Sequence, residues 1–342
     1  MRYISRSSHE CFSACRRKGY YRYLLHGTGY SEVQTPVNFA IGLLLHKGME
    51  VLFLSGGDIE EAHQALLEEA LLYPHLTLED RSIARALLLG WFRVKWEPFN
   101  EEFQVLMIEK EIEALLSPSV TLQARADLVV RSLENGRNFV FNWKTTSTKS
   151  NWNKKWRHDV QAWTEALAIE DALGERVEGC IFEGFYKGTK YAGMSTSPLI
   201  YGFQKEENGR KLFKSERTTG YVKFPTFVNE WYPSLEEWIL FLPLETVEEQ
   251  FIRSEPIMKN DDVVRKWISQ VVREEEDIQH VLDSEISDEE REVFFIQRFG
   301  EQCEWCPFKD LCGLRSDVGS LVDGGFLKER VDHHAKVLAE GE

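Results

Sequence analysis

A chain of 342 residues, 43% hydrophobic and 28% charged, has an ordinary globular composition with no low-complexity tract and room for two domains or one enlarged one. Its formal net charge of -15 excludes a generally basic nucleic-acid coat, though not a basic groove on an acidic body, because phosphate binding needs local Lys and Arg. The most apolar run, FAIGLLLHKGMEVLFL, is broken by His46, Lys47 and Glu50 too early for a membrane span, and the opening MRYISRSSHECF lacks an apolar signal-peptide core, so the sequence predicts a cytoplasmic protein with no membrane partner.

In chain order, SSHECFSACRRKGYYRYLLHG predicts a helix over 8–25, with Ser7 and Glu10 as a capping box and Gly27 as the stop. NFAIGLLLHKGMEVLFLSGG predicts a second helix ending at Gly56. DIEEAHQALLEEALLY and EDRSIARALLLGWFRVKWEPF keep helical apolar spacing and complete a helical region over 1–100.

The period then changes to that of strands: FQVLMIEKEIEALL, VTLQARADLVVRSL and RNFVFNWKT, the last two joined by a hairpin turn at Asn135-Gly136. Residues 152–173, stopped by Gly174, read as a helix and RVEGCIFEGFYKG as the next strand, giving an α/β core over 101–187. Residues 188–290 read as an insertion or extension without an assigned role: first Gly-, Ser-, Thr- and Tyr-rich pieces such as GYVKFPTFV, then helix with acidic stretches at REEED and SDEEREVFF, where Ser287 caps. A cysteine-bearing segment over 291–320 and a tail over 321–342 close the chain.

Six cysteines in a chain without a signal peptide do not predict a disulfide framework. CEWCPFKDLC places Cys303, Cys306 and Cys312 in a C-x2-C-x5-C pattern; two thiolates so spaced wrap one metal centre and the third closes another corner. The fourth ligand must come from elsewhere, and Cys11 and Cys15 are the N-terminal candidates. Zinc and an iron-sulfur cluster both accept four thiolates, so spacing alone leaves both open. Cys180, inside EGCIFEGF, reads as a small core residue.

Metal-dependent phosphodiester hydrolysis needs oxygen ligands for a hard cation and a lysine beside the attacking water. Asp127 in QARADLVV and Lys144 in FNWKTT fall on adjoining strands of the Asn-Gly hairpin, and His46 interrupts an apolar helix. Each residue alone reads equally as a solvated strand charge or a satisfied histidine; it is the combination that points to chemistry. Two basic stretches interleaved with aromatics, CRRKGYYRY (15–23) and KTTSTKSNWNKKWRH (144–158), offer Arg16, Arg17, Lys149, Trp152, Lys154, Lys155 and Trp156 as DNA contacts, the tryptophans by stacking on bases, against the plain alternative of solvated helix faces.

Taken together these residues resemble the RecB-type branch of the PD-(D/E)XK nuclease superfamily, and within it the members with an iron-sulfur cluster, such as the AddB nuclease domain and CRISPR-associated RecB-like exonucleases. SRSSHECFSACRRKGYYRYLLHG looks like the family's opening segment, which selects Cys15 as first cluster ligand and leaves Cys11 spare. AIGLLLHKGME resembles the glycine-then-histidine motif and carries metal binding onto His46. ARADLVV resembles the G-R-x-D strand, with Ala124 where glycine is usual, and carries metal binding onto Asp127. VFNWKTTS resembles the D/E-x-K strand, which places position 142 and the Trp143 backbone carbonyl on Mg²⁺ or Mn²⁺ and Lys144 near the attacking water; DVQAWTEAL resembles the following glutamine helix and points to Gln161. Cys303, Cys306 and Cys312 match the carboxy-terminal triad of a 4Fe-4S cluster.

The resemblance covers 1–187 and 295–315. It implies a restriction-endonuclease-like α/β core, a central mixed sheet flanked by helices, with an N-terminal helical subdomain and a cluster joining the N- and C-terminal segments. It implies a metal-dependent exonuclease acting on DNA ends or single strands in a bacterial or phage-infected cell. A helicase, a recombination or replication protein, or a second copy of the chain is the implied partner. Two departures stand out: Asn142 occupies the position of the family's acid, and Glu165 that of its usual tyrosine. Because a carboxamide lacks the charge that holds a divalent cation, the other reading is a catalytically dead DNA-binding or docking protein, with Asn142 either inherited or introduced.

Overall fold

The structure, a computed structural model, describes residues 2–157, 159–187, 204–207, 210–213, 247–313 and 317–330. The chain opens on strand β1 (Arg2–Ser5), helices α1 (Arg6–Ala14) and α2 (Arg16–Tyr23) and strand β2 (Tyr30–Glu32). Helices α3 (Val37–Leu54), α4 (Ile59–Glu69) and α5 (Leu78–Glu102) follow. Next come strands β3 (Phe103–Ser117), β4 (Val120–Ser132) and β5 (Asn138–Thr146), helices α6 (Trp152–Trp156) and α7 (Val160–Leu173), and strand β6 (Val177–Tyr186). A short pair, β7 (Gln204–Glu207) and β8 (Arg210–Phe213), precedes β9 (Phe251–Arg253) and β10 (Ile257–Met258). Helices α8 (Asp261–Leu282), α9 (Asp288–Phe294), α10 (Lys309–Cys312) and α11 (Val318–Asp323) and strand β11 (Leu327–Glu329) end it. GYVKFPTFV and the tail beyond 330 lie outside the described residues.

Two compact units result, one of Met1–Thr35, Glu113–Ala124 and Asp261–Glu342, the other of Pro36–Ile112 and Arg125–Asn260. In the first, β1 runs parallel to β4 through Val120–Gln123 and β11 runs antiparallel to β2. Its core joins Phe12, Tyr20 and Tyr21 near the N-terminus to Phe295 and Phe308 near the C-terminus, with Tyr20 stacked on Phe295 at 4.5 Å. In the second, β5 pairs antiparallel with β4 from Leu128 to Arg131 and parallel with β6, the crossover running through α6 and α7. The sheet is therefore mixed, as the resemblance implies, and β9 and β10 extend β6 antiparallel.

Where the elements depart from expectation, a local cap or turn is the cause. The first predicted helix is two, broken at Cys15 in an extended conformation, and its capping box is Ser5 with Ser8, not Ser7 with Glu10, because β1 delivers the chain directly into the helix. The predicted helix over 152–173 also divides, since Asp159 turns its carboxylate onto the Gln161 N–H at 2.8 Å and starts α7 afresh. The Asn-Gly hairpin forms with a longer connection, closed by Ser132 N–H to Arg137 O and Gly136 N–H to Ser132 O, both 2.8 Å. Ser287 caps α9 in a full box with Glu290.

Helix α3 has the length and apolarity of a membrane span, yet its buried residues Ile41, Leu44, Leu45, Met49 and Leu52 belong to the core of the second unit. Gly48 allows the close helix approach, since a Cβ there would lie 2.8 Å from Leu88 Cδ2. Residues 46 and 53 are two turns apart on one face of α3, and both meet the Trp143 ring: Phe53 stacks on it at 5.6 Å and His46 meets its edge at 5.9 Å. Phe53 also touches Trp91, Trp96 and Phe99. Phe53→Ala is expected to cost about 3 to 5 kcal/mol in urea unfolding, the range for an aromatic removed from a core.

Candidate metal centre

Strand alternation sends successive side chains to opposite faces. On β5 this buries Trp143 against α3 and turns Asn142 and Lys144 toward α7. The Trp143 peptide is gripped at both ends: its N–H donates to Asp127 Oδ2 at 2.6 Å, and its carbonyl accepts from His46 Nε2 at 3.1 Å. The other ring nitrogen, His46 Nδ1, lies 3.3 Å from Asp127 Oδ1 and 3.5 Å from Glu109 Oε1. Glu109 comes from β3, at a positive φ of 44° that a non-glycine residue adopts only under constraint. Its Oε2 pairs with Arg125 Nε at 2.6 Å, while its buried Oε1 has no hydrogen-bond partner.

One ligand atom from each of His46, Glu109 and Asp127 lies within 4.8 Å of the others, a grouping of metal-ligating side chains unique among the described residues. Two carboxylates, one of them with a buried oxygen that lacks a hydrogen bond, an imidazole and a nearby backbone carbonyl fit a hard divalent cation that tolerates one nitrogen ligand. Burial would lower the His46 pKa, but the charge and hydrogen bond of Asp127, with the Glu109 carboxylate 3.5 Å away, outweigh it and raise the value to about 9. Burial likewise opposes ionisation of Asp127, and the charges of His46 and Lys144 overcome it to hold the carboxyl below its ordinary range. The imidazolium of His46 and the carboxylate of Asp127 thus stabilise each other's charge.

A family model of the PD-(D/E)XK nuclease superfamily matches residues 3–313. The chain belongs to that superfamily. No individually curated protein matches it. The superfamily is one of nucleases that use divalent metal ions, and the His46–Glu109–Asp127 group could bind such an ion.

Within this PD-(D/E)XK core, the residues expected from the sequence fall into one connected group. Asn142 is fully buried; its Nδ2 donates to Glu165 Oε2 at 2.6 Å and Cys180 Sγ at 3.2 Å, and its Oδ1 accepts from Gln161 Nε2 at 3.1 Å and faces Lys144 Nζ at 3.5 Å. Glu109 was not recognised in the sequence, because MIEKEIE reads as an amphipathic strand whose acids alternate outward. Its one structural mark, the positive φ, has no sequence signature at a glutamate. Cys180 is buried as expected and also touches the site.

The cysteines and the basic residues stand differently. Cys15, Cys303, Cys306 and Cys312 all lie in the first unit, but they form no group with sulfurs within 4.8 Å of one another, so a compact thiolate cluster is not shown. They are still neighbours: the Arg298 N–H points at Cys15 Sγ at 3.5 Å, and the Cys303 thiol donates to the Arg298 carbonyl at 3.6 Å. Burial, then the charges of Cys306 and Cys15, push the Cys312 thiol up to about 11.

Trp152 and Trp156 are 4% and 3% exposed and cannot stack on bases. Trp156 instead stacks on Phe182 at 4.3 Å, and Trp152 packs over Gly184, where a Cβ would sit 2.7 Å from its ring. Arg17 is committed to the Phe295 and Glu292 carbonyls, and Lys149 to the Glu249 carbonyl and the Tyr186 ring. Arg16, Lys154 and Lys155 are exposed, with Lys155 over the Trp156 ring.

Burial pushes the Glu165 carboxyl up to about 7, against the Lys144 charge and the Asn142 and Gln161 amide hydrogens. An unfolded glutamate titrates at about 4.3, so between the two values the folded state binds the extra proton and stability falls as pH rises. Urea unfolding of cation-free protein from about pH 5 to about pH 8 should show this loss, at most roughly 3 kcal/mol, and Glu165→Gln should remove that part of the slope.

Proposed function

We propose that the protein is a metal-dependent deoxyribonuclease of the RecB-like type, acting on DNA ends or single strands. The observation that carries this reading is the His46–Glu109–Asp127 group beside the Trp143 carbonyl and Lys144. His46, Glu109, Asp127 and the Trp143 carbonyl would hold a divalent cation there, which when bound would polarise a phosphate oxygen as a Lewis acid. The Lys144 ammonium, reaching past Asn142 Oδ1, orients the attacking water and offsets charge on the phosphate. Asp127 fixes the reacting strand by holding the Trp143 N–H. Arg16, Lys154 and Lys155, being exposed, serve as phosphate contacts.

A 4Fe-4S cluster on Cys15, Cys303, Cys306 and Cys312 belongs to the same reading. Its support is the shared Arg298 peptide between Cys15 and Cys303 and the mutual electrostatic influence of the thiols. Four sulfurs around one zinc at 2.3 Å lie about 3.8 Å apart, and no three of these thiols lie within 4.8 Å of one another. Asn142 favours a second reading, a protein that binds DNA without cutting it.

Cleavage of single-stranded or linear duplex DNA is expected with Mn²⁺ or Mg²⁺ and not with EDTA, and Lys144→Ala should lower it by about 10²-fold or more. Absence of cleavage by both this chain and its Asn142→Asp variant would leave the binding reading standing. Anaerobically purified protein is expected to be brown and to carry about four irons, and Cys303→Ser to lose both; colourless, iron-free protein defeats the cluster.

A further inference from the structure

Asn142 stands where the family's motif has an acid, and the fold puts another acid against it. Glu165 lies one turn after Gln161 on α7, is 4% exposed, and has Oε2 at 2.6 Å from Asn142 Nδ2. Its Oε1 accepts from Gln161 Nε2 at 2.5 Å. When Glu165 is ionised its carboxylate only accepts hydrogen bonds, so the nitrogen of Asn142 faces Glu165 and its oxygen faces Lys144 and Gln161. The remaining amide hydrogen goes to Cys180 Sγ. The pocket is therefore matched to an amide at 142. An aspartate there would have no hydrogen for Glu165 or Cys180 and would press two carboxylates together, which cannot both ionise at contact distance.

Both hydrogen bonds to Glu165 come from neutral amides, and the buried Gln161 Oε1 beside them has no hydrogen-bond partner. A buried carboxyl lined only by neutral donors is costly to keep ionised, and an orphaned buried oxygen next to it calls for a reason. A cation drawn to the site supplies one for both. Asn142 joins Glu165 to the same centre, since its Oδ1 faces Lys144 Nζ at 3.5 Å while its Nδ2 holds Glu165.

We propose that Glu165 supplies, from the helix, the carboxylate for the divalent cation that the family's motif places at position 142 on the strand. The acid then stands on the helix, at the position of the family's usual tyrosine, rather than on the strand, and the site retains its charge. This rests on the nuclease reading above.

The test is Mn²⁺ titration of the full-length, cation-free protein, followed by the paramagnetic signal of free Mn²⁺, with DNA cleavage measured alongside. It compares the native chain with Asp127→Asn, Glu165→Gln, Asn142→Asp and the exchange variant Asn142→Asp/Glu165→Gln; the exchange variant keeps one acid and one amide and controls for folding. Native protein should bind Mn²⁺ and Asp127→Asn should not. Glu165→Gln should weaken binding about tenfold or more, and the exchange variant should recover most of it. Asn142→Asp alone should change affinity by less than about tenfold, because the two carboxyls share a proton. Binding that depends on Asp127 but is unchanged in Glu165→Gln, or a Glu165→Gln loss that the exchange variant does not recover, overturns the proposal and leaves the nuclease reading intact. No Mn²⁺ binding by any of the proteins overturns both.

Discussion

The backbone of Trp143 is the fixed point of the second unit. Asp127 takes the Trp143 N–H and His46 takes its carbonyl, so a carboxylate on β4 and an imidazole on α3 are both registered to one residue of β5. The Trp143 side chain, buried on the opposite face against Phe53, anchors that residue to the helical layer. Everything else about the site follows from this triple attachment: Lys144 and Asn142 must face α7, and α7 must present Gln161 and Glu165 to them.

The same attachment concentrates negative charge. Asp127 and Glu109 converge on His46, and the protein without a cation answers by keeping the imidazole protonated. A divalent ion would take over that role, and the histidine, as a ligand, would have to give up its proton. The Glu109 backbone is held at a positive φ and an oxygen of the same residue is left without a hydrogen bond. Strain and an unsatisfied oxygen in one side chain are the mark of a position shaped for binding rather than for stability.

The other unit is organised by a different principle. Its core is made by residues from the two ends of the chain, with Phe12, Tyr20 and Tyr21 interleaved with Phe295 and Phe308. Arg17 and Tyr21 reinforce it by bonding to Glu292. The thiols of Cys15 and Cys303 are brought to one peptide by that packing, and a cluster would add to a closure that aromatic burial already makes.

Local patterns in the sequence specify most of the long elements and the pairing of β4 with β5. The switch from helical to strand period near 103, the hairpin between β4 and β5, and the strand after α7 all follow from apolar spacing and turn residues, which are local properties. The ordered motifs placed Asp127, Lys144, His46 and Gln161 on elements that do meet. Tertiary structure alone decided which side chains face each other across elements distant in the chain. Glu109 is one of the alternating acids of MIEKEIE, and only the packing of β3 brings it to His46. Trp152 and Trp156 looked like stacking platforms beside lysines until Phe182 and Gly184 were seen to bury them. Glu165 looked like the loss of a tyrosine until α7 set it 2.6 Å from Asn142. Periodicity fixes the direction of a side chain on its own element, but the charge or contact it meets depends on packing between elements, which no local pattern encodes.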